Sequence, residues 1–201
     1  MDYIIKSIND FDINDIKQFY NKIPKIKKDK IDKYKINDAK SRSIVGEMLL
    51  EELLSKKGIS YNSIDYFIND DGKPYLKNSD LFFNISHSDQ YVITSISEKE
   101  IGIDIEKVRK VPLNTINHFA TENERKYILS SNIDIEKRLF QIYTLKEAYF
   151  KMKGENLSRI FEVEFFIKNN NIYCSDNNII ANFINDIDGY IISYCEKKYK
   201  S

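Results

Sequence analysis

The stretch Ile101-Gly102-Ile103-Asp104-Ile105-Glu106 places isoleucine at every second position, the period of a β-strand. Ile101, Ile103 and Ile105 are expected to enter the core, while Asp104 and Glu106 project together from the other face, roughly 6.5 to 7 Å apart. Gly102 belongs to that second face, and with no side chain it is expected to leave room for a ligand to approach. Two convergent carboxylates suit a hard divalent cation. A half-exposed strand with its acids in water carries the same pattern, so the reading depends on what the rest of the chain adds.

Working outward, further short strands are expected at Ile64 to Ile68, Tyr75 to Leu76, Leu81 to Ile85 and Tyr91 to Ser97, with Asp70-Asp71-Gly72-Lys73-Pro74 as the turn between the first two. A long helix precedes them, from an Asn37 or Asp38 start to Lys57. Val45, Leu49, Leu50, Leu53 and Leu54 recur at helical spacing and Gly58 supplies the stop. Beyond the strand the pattern is helical from Asn114 to about Ser130, then again from an Asp134 cap through Lys153 to a Gly154 stop. Strands at Val163 to Ile167, Ile172 to Cys174, Ile179 to Phe183 and Tyr190 to Cys195 finish the chain. SKKG ending at Gly58 and then IDYFINDDGKPY echoes KMKG ending at Gly154 and then VEFFIKNNNIYC, 96 to 99 residues later. Two such copies would make two similar halves, each a helix on a small antiparallel sheet.

The second long helix adds chemistry to the strand. In Lys146-Glu147-Ala148-Tyr149-Phe150-Lys151, Glu147 and Lys151 lie one turn apart on one face. A pair in open water is worth little. This helix, however, carries Leu139, Phe140, Ile142, Tyr143, Leu145, Ala148, Tyr149, Phe150 and Met152, so it is expected to be packed on several sides, with Glu147 and Lys151 facing a cleft. Crossing the strand, it would let Glu147 add a third oxygen ligand for Mg2+.

Phe83-Asn84-Ile85-Ser86-His87-Ser88 sets a serine beside a histidine, but neighbours on a strand point to opposite faces and no G-x-S-x-G elbow is present. At a strand end both side chains instead suit an anion, His87 by charge and Ser86 by hydroxyl. Lys22 to Arg42 holds nine basic and three acidic residues, a local charge of +6. Lys, Ile and Asn supply 79 of the 201 residues and only five of the 31 basic residues are Arg, so lysines here partly reflect codon bias and Arg42 is the more telling cation.

The whole chain has 31 basic and 31 acidic residues, which excludes a polybasic nucleic-acid binder and an acidic disordered tail. It contains 42% hydrophobic and 13% aromatic residues, enough for a sizeable core. No apolar run approaches the roughly 18 residues of a membrane span, and the amino-terminal residues lack the pattern of a signal peptide, so a cytoplasmic location is expected. Cys174 and Cys195 are read as buried free thiols.

GKP at Gly72 to Pro74, FNISHS at Phe83 to Ser88, GIDIE at Gly102 to Glu106 and KEAYFK at Lys146 to Lys151, with RSIVG at Arg42 to Gly46 and FATENE at Phe119 to Glu124, together resemble the Sfp-type 4′-phosphopantetheinyl transferases. Tyr143 stands where members commonly have Trp before the KEA motif. The resemblance implies an α+β fold of two similar, pseudo-twofold-related halves, residues 1–100 on the coenzyme A side and 101–201 with the metal-binding carboxylates and catalytic helix. It implies a monomeric enzyme that moves the phosphopantetheine arm of coenzyme A onto a serine of an apo acyl or peptidyl carrier protein, releasing 3′,5′-ADP. Mg2+, with Mn2+ as substitute, would be held by Asp104, Glu106 and Glu147. Lys30, Arg42, Gly72, Lys73, Pro74, Ser86, His87 and Lys151 would bind coenzyme A. Lys151 would also assist the leaving group, and the base for the serine would be Glu147 or Glu124. The length fits secondary metabolism. Two other readings use the same residues: a Mg2+-dependent nucleotide pyrophosphohydrolase, and a non-catalytic carrier- or nucleotide-binding module.

Overall fold

A computed structural model describes residues 1–77, 79–169 and 171–198 of the chain. It divides into two compact units, Met1–Glu98 and Lys99–Ser201.

In the first unit a strand not anticipated from the sequence, β1 (Asp2–Ser7), leads through a short 3-10 turn into α1 (Ile13–Lys22), which starts where the Asp12 carboxylate accepts the Asn14 N–H. The helix α2 (Lys25–Ile31) follows, then the long α3 (Asn37–Lys56). Ile36, whose side chain makes no capping bond, is the N-cap of α3, and Asn37 is already helical. Gly58 follows α3 at a φ of +73°, a left-handed conformation that glycine adopts without a Cβ penalty. A hairpin of β2 (Tyr66–Ile68) and β3 (Pro74–Leu76) leads to β4 (Phe82–Ser88) and β5 (Tyr91–Ser97). The sheet order is β1-β5-β4, all antiparallel. Val45, Leu49, Leu50, Leu53 and Leu54 of α3 pack with Phe83, Val92 and Ile96 of that sheet in one apolar core.

The second unit repeats this order. It contains β6 (Ile101–Lys107), α4 (Glu122–Leu129), the long α5 (Ile135–Lys153), a hairpin of β7 (Phe165–Lys168) and β8 (Asn171–Cys174), then β9 (Ile179–Ile184) and β10 (Tyr190–Lys197). The sheet order is β6-β10-β9, again antiparallel. Each unit therefore runs strand, long helix, hairpin, strand, strand, with the first strand paired to the last. The faint sequence echo marks a true repeat of topology, and the fold is α+β with a long helix on a small antiparallel sheet in each half. Among the described residues no helix is long and apolar enough to cross a membrane.

The helix expected from Asn114 to Ser130 is split. A 3-10 segment, Leu113–His118, ends before Thr121, where a reciprocal capping box between Thr121 and Glu124 starts α4 afresh.

Gly102 serves a different purpose from the one expected. A Cβ built on it would lie 2.0 Å from the Ala148 carbonyl oxygen and 2.3 Å from the Met152 nitrogen. The face that carries Gly102, Asp104 and Glu106 is therefore the face on which α5 lies, and the helix backbone fills the space expected for a ligand. Ile101, Ile103 and Ile105, on the opposite face, are also completely buried, so β6 is enclosed on both sides. Gly102→Ala is expected to force α5 off the sheet, costing about 3 kcal/mol and lowering the melting temperature by roughly 6 to 12 °C. Thermal unfolding followed by circular dichroism checks this, and a change of less than about 2 °C would refute so close an approach.

Candidate functional site

In the second unit, β6 and α5 bring four of the expected residues into one charged cluster. The Lys151 ammonium donates to Asp104 Oδ1 at 2.5 Å, and Asp104 is only 3% exposed. One turn before Glu147, the Tyr143 hydroxyl donates to Glu147 Oε1 at 2.8 Å. The Tyr143 ring packs edge-on against Phe119, with centroids 5.3 Å apart. Glu106, at the open end of β6, pairs with Arg109 at 3.1 Å.

The electrostatics show how closely these groups are coupled. Burial raises the pKa of Glu147, and the negative charges of Asp104 and Glu106 add to the rise against the opposing effects of Lys151 and Tyr143. Burial pulls the Lys151 ammonium down, but Asp104, Glu147 and Glu106 outweigh it and hold the pKa above its ordinary value. Burial and then the charge of Glu147 push the Tyr143 phenol up, so it remains a donor across the working range of pH.

Among the described residues no three His, Cys, Asp or Glu side chains stand close enough to form a ready metal cage. The donor set nonetheless fits a hard cation chemically. Three carboxylates share one ammonium and one half-exposed guanidinium, a net negative charge that attracts a cation and supplies it with hard oxygen donors.

Glu124, one of the two candidate bases, is a structural residue. Its carboxylate and the Lys146 ammonium form an ion pair at 2.8 Å with both side chains fully enclosed. Glu124 also accepts the Thr121 N–H at 2.7 Å and the Phe165 N–H at 2.9 Å. Lys146 gives its other protons to the carbonyls of Phe119 and Ile160, both at 2.8 Å. With its oxygens committed to these donors and shut off from solvent, Glu124 cannot accept a proton from a substrate. The T-x-x-E pattern at Thr121 to Glu124 was the sequence signal for this capping role.

The first unit holds a cavity of about 150 Å3 lined by residues that include Lys27, Lys30, Ser43, Pro74 and His87. Three expected coenzyme A ligands, Lys30, Pro74 and His87, therefore meet at one place. Partial enclosure, and then the like charge of Lys27, push the Lys30 ammonium below its usual pKa. Lys27 escaped the sequence reading as one lysine among many. It is fixed by an ion pair to Glu47 at 2.7 Å and lies over the rings of Tyr66 and Phe83. Glu47, 1% exposed on the core side of α3, also accepts the hydroxyls of Tyr61 and Tyr66 at 2.8 Å each.

The other expected ligands are placed differently. Arg42 donates to the Asp89 carbonyl at 3.1 Å in the turn just after β4, and its buried Nε has no acceptor among the described residues. Lys73 is buried, with its ammonium 5.1 Å from the centre of the Tyr75 ring. Gly72, at a φ of +86°, shapes the turn between β2 and β3, its N–H bonded to the Asn69 carbonyl at 2.9 Å. Ser86 is buried on the face of β4 opposite His87, and it is not among the residues that line the cavity.

Comparison with known proteins covers nearly the whole chain. Residues 100–195 match the family described as the 4′-phosphopantetheinyl transferase superfamily, and residues 12–100 match the family described as 4′-phosphopantetheinyl transferase, N-terminal. The 4′-phosphopantetheinyl transferase gsp of Aneurinibacillus migulanus is 34% identical over 118 residues, 58% of this chain and 49% of that protein. The 4′-phosphopantetheinyl transferase Sfp of Bacillus subtilis is 28% identical over 144 residues, 70% of this chain and 64% of that protein. The 4′-phosphopantetheinyl transferase HetI of a Nostoc species is 29% identical over 133 residues, 61% of this chain and 52% of that protein. The chain thus spans between about half and just under two thirds of the length of these curated relatives. With both halves matched and the repeated fold in place, the chain belongs to the Sfp-type 4′-phosphopantetheinyl transferase family.

Proposed function

We propose that the protein transfers the 4′-phosphopantetheine arm of coenzyme A to a serine of an apo acyl or peptidyl carrier protein. The observation that carries this reading is the coupled cluster of Asp104, Glu106, Glu147 and Lys151 on β6 and α5. In the first unit Lys27, Lys30 and His87, with Arg42 of α3 reaching the turn after β4, suit the phosphate-bearing adenosine end of coenzyme A. A cavity of about 150 Å3 has room for a phosphate group but not for a whole adenosine, so the remainder of coenzyme A would lie outside it. Cys174 and Cys195 are free thiols, in keeping with the cytoplasmic setting proposed for the reaction.

In the reaction the serine oxygen forms a bond to the β-phosphorus of coenzyme A and the bond to the 3′,5′-ADP oxygen breaks. Glu147 takes the serine proton, its carboxylate held in place by the Tyr143 hydroxyl. Lys151 places a positive charge where the leaving phosphate gains negative charge. Mg2+, or Mn2+ in its place, held by Asp104, Glu106 and Glu147, would neutralise pyrophosphate charge, the main contribution in a transfer that depends on positioning and electrostatics.

The test mixes the protein with coenzyme A, Mg2+ and a panel of apo carrier proteins and follows intact masses. At least one carrier is expected to gain a phosphopantetheine, with 3′,5′-ADP released and EDTA stopping the reaction. If no carrier gains mass and EDTA changes nothing, the reading is wrong. Consumption of coenzyme A without any carrier would instead identify a pyrophosphohydrolase.

A further inference from the structure

Glu147 sits on α5 between two groups of opposite kind, Tyr143 one turn before it and Lys151 one turn after. A glutamate on a helix has several open rotamers, and with no other restraint attraction to Lys151 would draw its carboxylate along the helix surface. The structure shows a different arrangement. Glu147 Oε1 accepts the Tyr143 hydroxyl at 2.8 Å, while the Lys151 ammonium lies on Asp104.

The tyrosine is itself fixed. Its ring stands edge-on to Phe119, which is 3% exposed, and the Phe119 carbonyl is held by the buried Lys146 ammonium at 2.8 Å. A continuous set of contacts thus runs from the Glu124–Lys146 ion pair through Phe119 and Tyr143 to the carboxylate of Glu147. No step in it depends on a flexible surface group.

We propose that Tyr143 is a positioning residue that fixes the Glu147 carboxylate, through its hydroxyl, in the orientation needed to hold a divalent cation and serve the transfer. This rests on the functional reading above, and it assigns a chemical task to a position the sequence marked only as a bulky aromatic. Volume alone does not fill the role: Phe preserves the ring and its contact with Phe119 but cannot donate the bond.

The test uses the full chain, wild type and Tyr143→Phe, with Mn2+ as the probe. In Tyr143→Phe, kcat for carrier loading is expected to fall roughly 10-fold, the size of one lost hydrogen bond to a charged group. The KM for coenzyme A should stay within about twofold, and Mn2+ affinity, titrated by electron paramagnetic resonance with coenzyme A present, should weaken by about the same 10-fold. The melting temperature should move by less than about 2 °C. In a Glu147→Ala background the same substitution should leave Mn2+ affinity unchanged, because the group being positioned is gone.

Wild-type kcat and Mn2+ affinity in Tyr143→Phe overturn the proposal, as does an undiminished loss of affinity in the Glu147→Ala background. A wild-type chain that binds no Mn2+ overturns it too. A wild-type chain that loads no carrier sinks the transferase reading alone, since the Mn2+ titrations still decide the role of Tyr143.

Discussion

Glu147→Gln is expected to lower carrier loading by about a thousandfold while leaving the protein folded. The substitution keeps the shape of the side chain, and its amide oxygen still accepts the Tyr143 hydroxyl, so the local packing of α5 is preserved. It removes both the charge that would hold a cation and the basic carboxylate that takes the serine proton, and two functions lost with one side chain justify an effect at the upper end of single-site electrostatic deletions. Stability should not suffer. Burial and the charges of Asp104 and Glu106 already work against ionised Glu147, so a neutral group relieves repulsion, and the melting temperature should hold or rise slightly. Intact-mass turnover and a thermal melt on the same preparation decide the matter; unchanged turnover removes Glu147 from the mechanism.

The parts of this site that could be read from sequence were those governed by local periodicity. The alternation at Ile101 to Glu106 gave both the strand and the shared face of Asp104 and Glu106, and the glycine stops at Gly58 and Gly154 closed both long helices within a residue of where they end. The rest depended on contacts between segments far apart in the chain. Gly102 looked like space for a ligand because nothing in its neighbours announces the approach of α5, whose contacting residues, Ala148 and Met152, lie more than forty positions later. Lys27 and Glu47 acquire meaning only when α2 and α3 meet, where a buried acid selects one lysine from a crowd that codon bias had made uninformative. The strand β1 was missed because a short apolar run becomes a strand only by pairing with β5, whose first residue lies more than eighty positions away.

Glu124 and Lys146 set the second large effect, and it falls on stability. Lys146→Met removes the cation and leaves the fully enclosed Glu124 carboxylate uncompensated, while the carbonyls of Phe119 and Ile160 each lose a donor. Breaking a buried pair from one side costs about 3 to 5 kcal/mol, which for a chain of this size corresponds to a drop of roughly 6 to 20 °C in melting temperature. Glu124→Gln should be milder. Its amide oxygen still accepts one of the two backbone N–H groups, and burial already holds the Lys146 pKa below its ordinary value, so the lysine loses its charge at modest cost once its partner is neutral. The double variant should therefore recover part of what Lys146→Met loses, since no buried charge then remains. Turnover separates this role from catalysis. Measured well below its melting point, Glu124→Gln should load carrier within a few-fold of wild type, because a carboxylate occupied by Thr121, Phe165 and Lys146 has no free oxygen to offer a substrate. A folded Glu124→Gln protein with normal stability but no turnover would return Glu124 to the position of base and overturn the structural assignment.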